Sequence, residues 1–267
     1  MIFNTDKFEL LRYWPGKALP PPSQYCAPGD VPIVEKSSLR DLGVEISSNL
    51  SFSPHIDNVV TGATQLVGMI LHTFKRRSRG RRITLWKTIV QPKIDYCSPL
   101  WSPADQNNIV KLESVMQSFA FRIYGCQTMD FWERLSHLKL YSQQKRRERY
   151  QMILVWKLSQ GMINGYKIPF VESLRRGRLA TVSQYHSNAC PSVRNARESS
   201  LSVRGARLFN LLPQGLRDLN SNNPDIFKSN LDAFLSEIPD QPTVPGLIRA
   251  AASNSIIDLL AIIVATG

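Results

Sequence analysis

Three clusters of lysine and arginine are the strongest chemical pattern in this 267-residue chain. The first lies within residues 58–94, a stretch without any acid, and comprises Lys75, Arg76, Arg77, Arg79, Arg81, Arg82, Lys87 and Lys93. The second is Lys145, Arg146, Arg147 and Arg149, and the third is Arg175, Arg176 and Arg178. The planar guanidinium matches phosphate oxygens, so the clusters predict contacts with a nucleic-acid backbone. The alternative is a solvated surface, or a nuclear-import or RNA-binding patch without specificity.

The net charge of +12 is concentrated in the middle of the chain. Residues 58–207 hold 25 bases and 8 acids, whereas the segments before and after them each hold more acids than bases. A local excess of this kind predicts an anionic partner for that region. RNA or DNA is favoured over a membrane surface.

Sequence signatures of common catalytic sites are missing. The chain has no H-E-x-x-H, no phosphate-binding loop, no G-x-S-x-G and no adjacent pair of acids. Asp95, Asp105 and Asp130 stand alone at predicted helix starts or loops, where helix capping accounts for them. His186 and Cys190 are four residues apart, but their segment is not predicted to be helical. We therefore predict no catalytic residue, no metal site and no cofactor in this chain.

The cysteines and the two ends of the sequence indicate the cellular compartment in which the protein is expected. Four irregularly spaced cysteines do not make a disulfide framework, and the first residues do not form a secretory signal. We expect an intracellular protein, nuclear or cytoplasmic. The apolar stretch from Ser255 to Gly267 is shorter than the roughly 20 residues that span a bilayer. A short helix or an apolar tail is expected there, without a membrane role.

The first two clusters must be held in place by helices. The spacing of the apolar residues predicts such helices. The alternating residues 42–46 indicate a strand, with a turn at residues 47–49 completing a small hairpin. Helical spacing starts at Ser53-Pro54, and a second helix runs to Pro92. A third helix runs from Ser102-Pro103 to Gly125. A capping box at Asp130-x-x-Glu133 and a cap at Ser142 start two more helices, the last reaching Gly161.

The remainder of the chain predicts a connector and a smaller unit. Residues 162–200 lack periodicity and are rich in Arg, Ser, Asn and Gly. Residues 201–203 suggest a short strand, and residues 208–212 a helical turn that ends at Pro213. Asn223-Pro224 caps a final amphipathic helix.

Several of these segments, in this order, resemble the C-terminal part of non-LTR (LINE-type, jockey-like) retrotransposon reverse transcriptases. The residues that carry the resemblance are FNTDKFELL (3–11), LRDLGVEISSNLSFSPHI (39–56), LWKTIVQPKIDYCSPLWSP (85–103), LESVMQ (112–117), ERLSHLKL (133–140), KRRER (145–149), SVRGARLFNLLP (202–213) and FK (227–228). The resemblance covers the chain from residue 1 to about residue 238, whereas the tail after Pro242 departs from it.

The resemblance implies a division of the chain. Residues 1–52 are expected to be the end of the palm with a primer-grip-like hairpin, and residues 53–161 the helical thumb and post-thumb region. Residues 162–200 are a basic connector, residues 201–240 a small C-terminal unit, and residues 241–267 an apolar tail. The family's metal-binding aspartates would lie before residue 1. Mg²⁺ therefore belongs to the intact parent polymerase, and this chain alone is expected to be inactive.

The expected fold is α+β and mainly α: a small β-hairpin region, a helical thumb-like bundle and a small C-terminal α/β unit. The expected function is that of a truncated reverse transcriptase-like protein of a mobile element. Its basic helices would bind an RNA/DNA template–primer without sequence preference, and the missing palm and fingers are a possible partner. The alternative is a non-catalytic protein-interaction remnant whose basic surface is incidental.

Overall fold

The computed structural model describes residues 7–13, 25–75, 78–123, 125–164, 170–172, 179–181, 191–242 and 253–266. It has the expected α+β architecture, in which helices predominate. Within the described residues, no helix is long and apolar enough to cross a membrane.

The strands form four two-stranded sheets. β1 (Leu10–Leu11) pairs in parallel with β4 (Glu35–Lys36), and the antiparallel pairs are β2 (Cys26–Ala27) with β3 (Val31–Pro32), β5 (Ser38–Asp41) with β6 (Val44–Ser47), and β7 (Phe170–Glu172) with β8 (Leu179–Thr181). The predicted strand near residue 44 is confirmed, but the predicted position of the hairpin turn was wrong. The turn is at Leu42-Gly43, where both residues have positive φ, 45° and 88°. Two successive residues of positive φ make the tight turn that matches strand twist.

Helices make up most of residues 53–159. They are α1 (Ser53–Thr73), α2 (Arg79–Leu85), a π-helical turn (Trp86–Val90), α3 (Gln91–Asp95), α4 (Ser98–Trp101), α5 (Gln106–Phe121), α6 (Phe131–Leu138) and α7 (Gln143–Ser159). The apolar faces of α1, α5 and α6 pack with β6 and the π turn, and Trp86 stacks on Phe119 at 4.6 Å between ring centroids.

Three of the predicted helix starts can be compared with the structure. Asp130 and Glu133 form the predicted capping box, and the Ser142 side chain accepts from the backbone N–H of Lys145. The third helix begins later than predicted, because Asp105 accepts from the N–H of Asn108 and caps α5.

Pro92 does not end the second helix, contrary to the sequence prediction. The backbone N–H of Gln91 bonds to the carbonyl of Trp86, five residues earlier, and the chain continues as α3 to Asp95. Proline has no N–H to donate, so it is tolerated where the hydrogen-bond register of a helix shifts. The basic stretch from Arg79 and the residues up to Asp95 therefore belong to one continuous helical rod.

The second half adds α8 (Pro191–Ser199), a π turn (Leu201–Gly205), α9 (Ala206–Asn210), α10 (Gln214–Arg217), α11 (Pro224–Glu237) and α12 (Ile256–Thr266). The predicted strand at residues 201–203 was wrong, because these residues form the π turn that leads into α9. Asn223 caps α11 as predicted.

A second core lies between α7, α9, α11 and the start of α12. Trp156 of α7 stacks on Phe227 of α11 at 4.5 Å with nearly parallel rings. α7 also packs against α4 and α5, so one helix serves both halves of the molecule. The C-terminal unit is therefore completed by a helix that precedes it by some 40 residues, and Ile256 and Leu259 of the expected tail are buried in it.

Candidate nucleic-acid interface

The described residues of the first basic cluster up to Arg82 lie where the end of α1, the start of α2 and the end of α5 meet. Arg82 holds these elements together: its Nη2 donates to the carbonyl of Lys75 at 2.6 Å, and its Nη1 donates to the carbonyl of Arg122 at 3.0 Å. Both carbonyls belong to helix ends, where the chain has no intrahelical donor to offer them. Arg82 is therefore chiefly a structural clamp. Arg76 and Arg77 lie outside the described residues.

The side chains around this clamp are exposed cations. Lys75, Arg79, Arg81 and Arg122 are all solvent-exposed, and Arg79 contacts the Nε2 atom of His137 at the end of α6. We call these four residues and Arg82 the basic junction. Arg122 was not among the predicted site residues, because it stands alone in the sequence 40 residues after Arg82. Only the fold brings it to this surface.

The second basic cluster is placed differently, because α7 is covered by other elements along its first turns. Lys145 is buried, donates from Nζ to the carbonyl of Ile238 at 2.6 Å and lies over the Tyr141 ring. Arg147 is fully buried and donates to Gln144 Oε1 at 2.6 Å. A buried cation cannot reach a phosphate on another molecule, so the structure positions these two residues for internal contacts.

The two remaining members of this cluster are partly exposed and paired with carboxylates. Arg146 donates to Asp95 Oδ2 at 2.6 Å, and Arg149 donates to both carboxylate oxygens of Asp232. The hydrogen bond to Asp232 raises the pKa of Arg149. Both arginines line a cleft of about 370 Å³ together with Lys87 and Lys139. We call these four cations the cationic cleft.

Acidic side chains distant in sequence neutralise the start of α7. Glu113 of α5 accepts from the backbone N–H groups of Gln143 and Gln144, at 3.1 and 2.8 Å. Asp240 accepts from the N–H and the hydroxyl of Ser142. Carboxylates at a helix N-terminus receive its free donors and complement its positive end. The dense positive charge of α7 is thus matched from inside the protein.

Burial shifts the pKa of these groups. It raises the pKa of Glu113 to about 7, against the opposing effect of Arg147, and it also raises the pKa of Asp240. It lowers the pKa of Arg147 to about 10, although Glu113 and Glu148 oppose that change. It lowers the pKa of Lys145 as well. The shifts follow from the burial of the first turns of α7, which excludes water from these groups.

The buried carboxylate of Glu148 links α12 to α7 through hydrogen bonds. This carboxylate accepts from Gln144, from the Arg204 guanidinium at 2.7 Å and from the backbone N–H of Ile256 at 2.7 Å. Ile256 is the first residue of α12, so Glu148 caps that helix from a distance. No sequence pattern predicted this contact, since the two residues are 108 positions apart.

The third basic cluster, Arg175, Arg176 and Arg178, lies outside the described residues, as do His186 and Cys190. Of the isolated aspartates, Asp105 and Asp130 cap helices as expected, whereas Asp95 does not. It accepts from Gln91, Arg146 and Tyr150 at the end of α3. Across the part of the chain that the structure describes, no three His, Cys, Asp or Glu residues converge on a point where a metal ion could bind.

Comparison with known proteins gives one informative similarity. The chain is 25% identical, over 127 residues and 46% of its length, to the probable RNA-directed DNA polymerase from transposon X-element of Drosophila melanogaster. The similarity supports a relationship to retrotransposon reverse transcriptases. The aligned part is 14% of that polymerase. No family model and no solved structure matches the chain.

Proposed function

We propose that this chain is the thumb-like, nucleic-acid-binding part of a non-LTR reverse transcriptase-like protein of a mobile element. The basic junction would hold an RNA/DNA template–primer through its sugar–phosphate backbone, without reading sequence. The observation that carries the proposal is that Lys75, Arg79, Arg81 and Arg122, all exposed, stand at three helix ends that Arg82 joins. The similarity to a transposon polymerase makes nucleic acid the expected anion.

The rigidity of the junction favours this role. Arg82 fixes the helix ends to one another, and α1 and α5 pack along their length. Cations mounted on a rigid frame lose little freedom when they bind phosphates, which raises affinity for a regular backbone. A helical element that grips a duplex needs this property more than it needs contacts with bases.

The proposal includes no DNA synthesis by this chain alone. Two-metal phosphoryl transfer requires carboxylates that converge on two ions about 4 Å apart. Asp105 and Asp130 are committed to helix caps, and Asp95 is paired with Arg146. Mg²⁺ and the polymerase reaction are proposed for the intact parent protein.

Salt-dependent binding tests the proposal with a charge-matched control. Arg79, Arg81 and Arg122 are replaced together by Gln in one variant, and Lys36, Lys111 and Lys228 in another. The control lysines are each paired with an acid outside the junction. Binding of a labelled RNA–DNA duplex is then measured by fluorescence anisotropy over a range of salt concentrations.

The junction variant should bind more weakly, with a salt slope lower by up to about three, because each neutralised phosphate contributes about 0.9 on duplex DNA. The control variant should keep most of the slope despite the same net charge. Equal slopes for the wild type and the junction variant, with the helical content intact, would favour the interaction-remnant alternative.

A further inference from the structure

The cationic cleft is a second positive feature, next to the basic junction, and it has the shape of a pocket. Lys87 of the first π turn, Lys139 after α6, and Arg146 and Arg149 of α7 line about 370 Å³. Asp232 is the acid among the described lining residues. A water takes up about 30 Å³ of liquid, so a group several times that size fits. Four cations and one acid give this lining a net positive charge.

We infer that this cleft is a phosphate-binding site that receives a backbone phosphate of the strand lying on the basic junction. The source of the phosphate rests on the proposed function, whereas the affinity of the cleft for phosphate does not. A backbone phosphodiester and free inorganic phosphate present the same oxygens to lysine and arginine. The experiments below distinguish these two sources.

The arginines of the cleft are held in place before any ligand arrives. Asp95 and Tyr150 both contact Nη2 of Arg146, and its Nε is buried without a partner among the described residues. Arg149 is fixed by Asp232. A guanidinium has five N–H donors, so each arginine retains donors after these contacts. Pre-organised donors that are not all used are suited to a small oxyanion.

Lys139 adds a conformational observation. It ends α6 with φ 52° and ψ 49°, a left-handed conformation in which glycine is the usual residue. A lysine there is strained, and such strain tends to persist where the side chain has a use. Lys139 also lines a second, larger cleft beside α6, so its side chain lies between two clefts.

The cleft and the basic junction are connected by two short stretches of chain. Arg79 contacts His137, and Lys139 lies two residues further along the same chain. Lys87 is eight residues after Arg79 on one helical rod, which places their Cα atoms roughly 12 Å apart at 1.5 Å per residue. Charges on one strand of double-stranded DNA recur about every 3.4 Å along the helix axis, so a few nucleotides cover this distance.

A first experiment measures phosphate directly on the full chain. Acylation of lysine side chains is followed by mass spectrometry with increasing inorganic phosphate. Lys87 and Lys139 should be protected, whereas Lys7, exposed at the other end of the described chain, should not. Equal protection of all three lysines, or of none, would overturn the inference, whatever the nucleic-acid results show.

A second experiment uses variants in which binding and stability should move independently. Lys139→Gly removes a cation but relieves the left-handed strain. It should weaken binding of single-stranded RNA about fivefold while the unfolding midpoint stays the same or rises. Asp232→Asn removes the lining acid and releases Arg149, so it should tighten binding about fivefold. A gain of affinity with unchanged helical content does not come from loss of the fold.

The outcomes separate the two proposals. Protection by inorganic phosphate without any RNA binding would support the cleft as a site for free phosphate and contradict the proposed function. RNA binding that depends on Arg79 and Arg81 but not on Lys87 or Lys139 would support the proposed function and overturn the cleft. Unchanged affinity in both Lys139→Gly and Asp232→Asn would also overturn the cleft.

Discussion

Residues 75–82 and residues 145–149 are both runs of lysine and arginine. The described part of the first run lies on the surface, whereas the second run is largely inside. At the first run, Arg79 and Arg81 are exposed and Arg82 reaches two backbone carbonyls. At the second run, Lys145 and Arg147 are buried and the other two are paired with acids. The comparison shows that a basic run does not identify a basic surface.

The difference arises from what surrounds each helix. α2 is seven residues long, follows the end of α1 and has no fully buried side chain. α7 packs against α4, α5, α9 and α11, so most directions around it are occupied. Charges on such a helix must be matched by acids from other elements, and here Glu113 comes from α5, Asp95 from α3 and Asp232 from α11.

The largest expected effect is on stability at Arg147. Arg147→Ala leaves a cavity in place of a fully buried side chain and removes the donor to Gln144, so the free energy of unfolding should fall by about 2–5 kcal/mol. Arg81→Ala removes the same side chain from the exposed run and should change it by less than about 0.5 kcal/mol. Urea unfolding measures the free energy of unfolding of both variants. Similar losses for the two variants would remove the distinction between the runs.

A smaller effect is expected from pH at Glu113. Its folded pKa of about 7 lies above the ordinary value, so its proton stabilises the fold below about pH 4.5. That stability is lost as the pH rises through 7 and amounts to at most about 3 kcal/mol. Glu113→Gln should remove this part of the pH dependence, which urea unfolding at several pH values measures.

His55 acts in the opposite direction and provides a reference for that experiment. Burial lowers the pKa of His55, whose Nδ1 accepts from the backbone N–H of Glu45. Its contribution is present above the ordinary pKa of about 6.5 and is lost as the pH falls through the lowered folded value. Subtracting the wild-type and Glu113→Gln profiles cancels His55. A flat difference between pH 4.5 and 7 would contradict the assignment to Glu113.

The smallest expected effect separates two neighbours within the exposed run. Arg82→Ala leaves the carbonyls of Lys75 and Arg122 without their donor and should lower the free energy of unfolding by about 1–2 kcal/mol. Arg81→Ala should not lower the free energy of unfolding in this way. Thermal unfolding of both variants checks the difference. If Arg81→Ala is the more destabilising, the clamp has been assigned to the wrong residue.

Local features of the fold could be predicted from the sequence because short-range physics determines them. The capping box at Asp130 and Glu133, the cap at Ser142 and the cap at Asn223 depend on residues within one helical turn. The sequence predictions that were wrong also have a physical reason. The π turn before Pro92 shifts a hydrogen-bond register, and the segment after Ser200 is helical although its apolar residues alternate.

The candidate site could be predicted only in part. The sequence alone determined the charge excess, the basic run at the α1–α2 junction and the similarity of ordered motifs to reverse transcriptases. Tertiary structure decided which cations face water. It buried Lys145 and Arg147, and it brought Arg122 and Lys139 beside residues 40 or more positions away. Whether a side chain is buried depends on neighbours from distant segments of the chain. The amino-acid composition does not determine which segments those are.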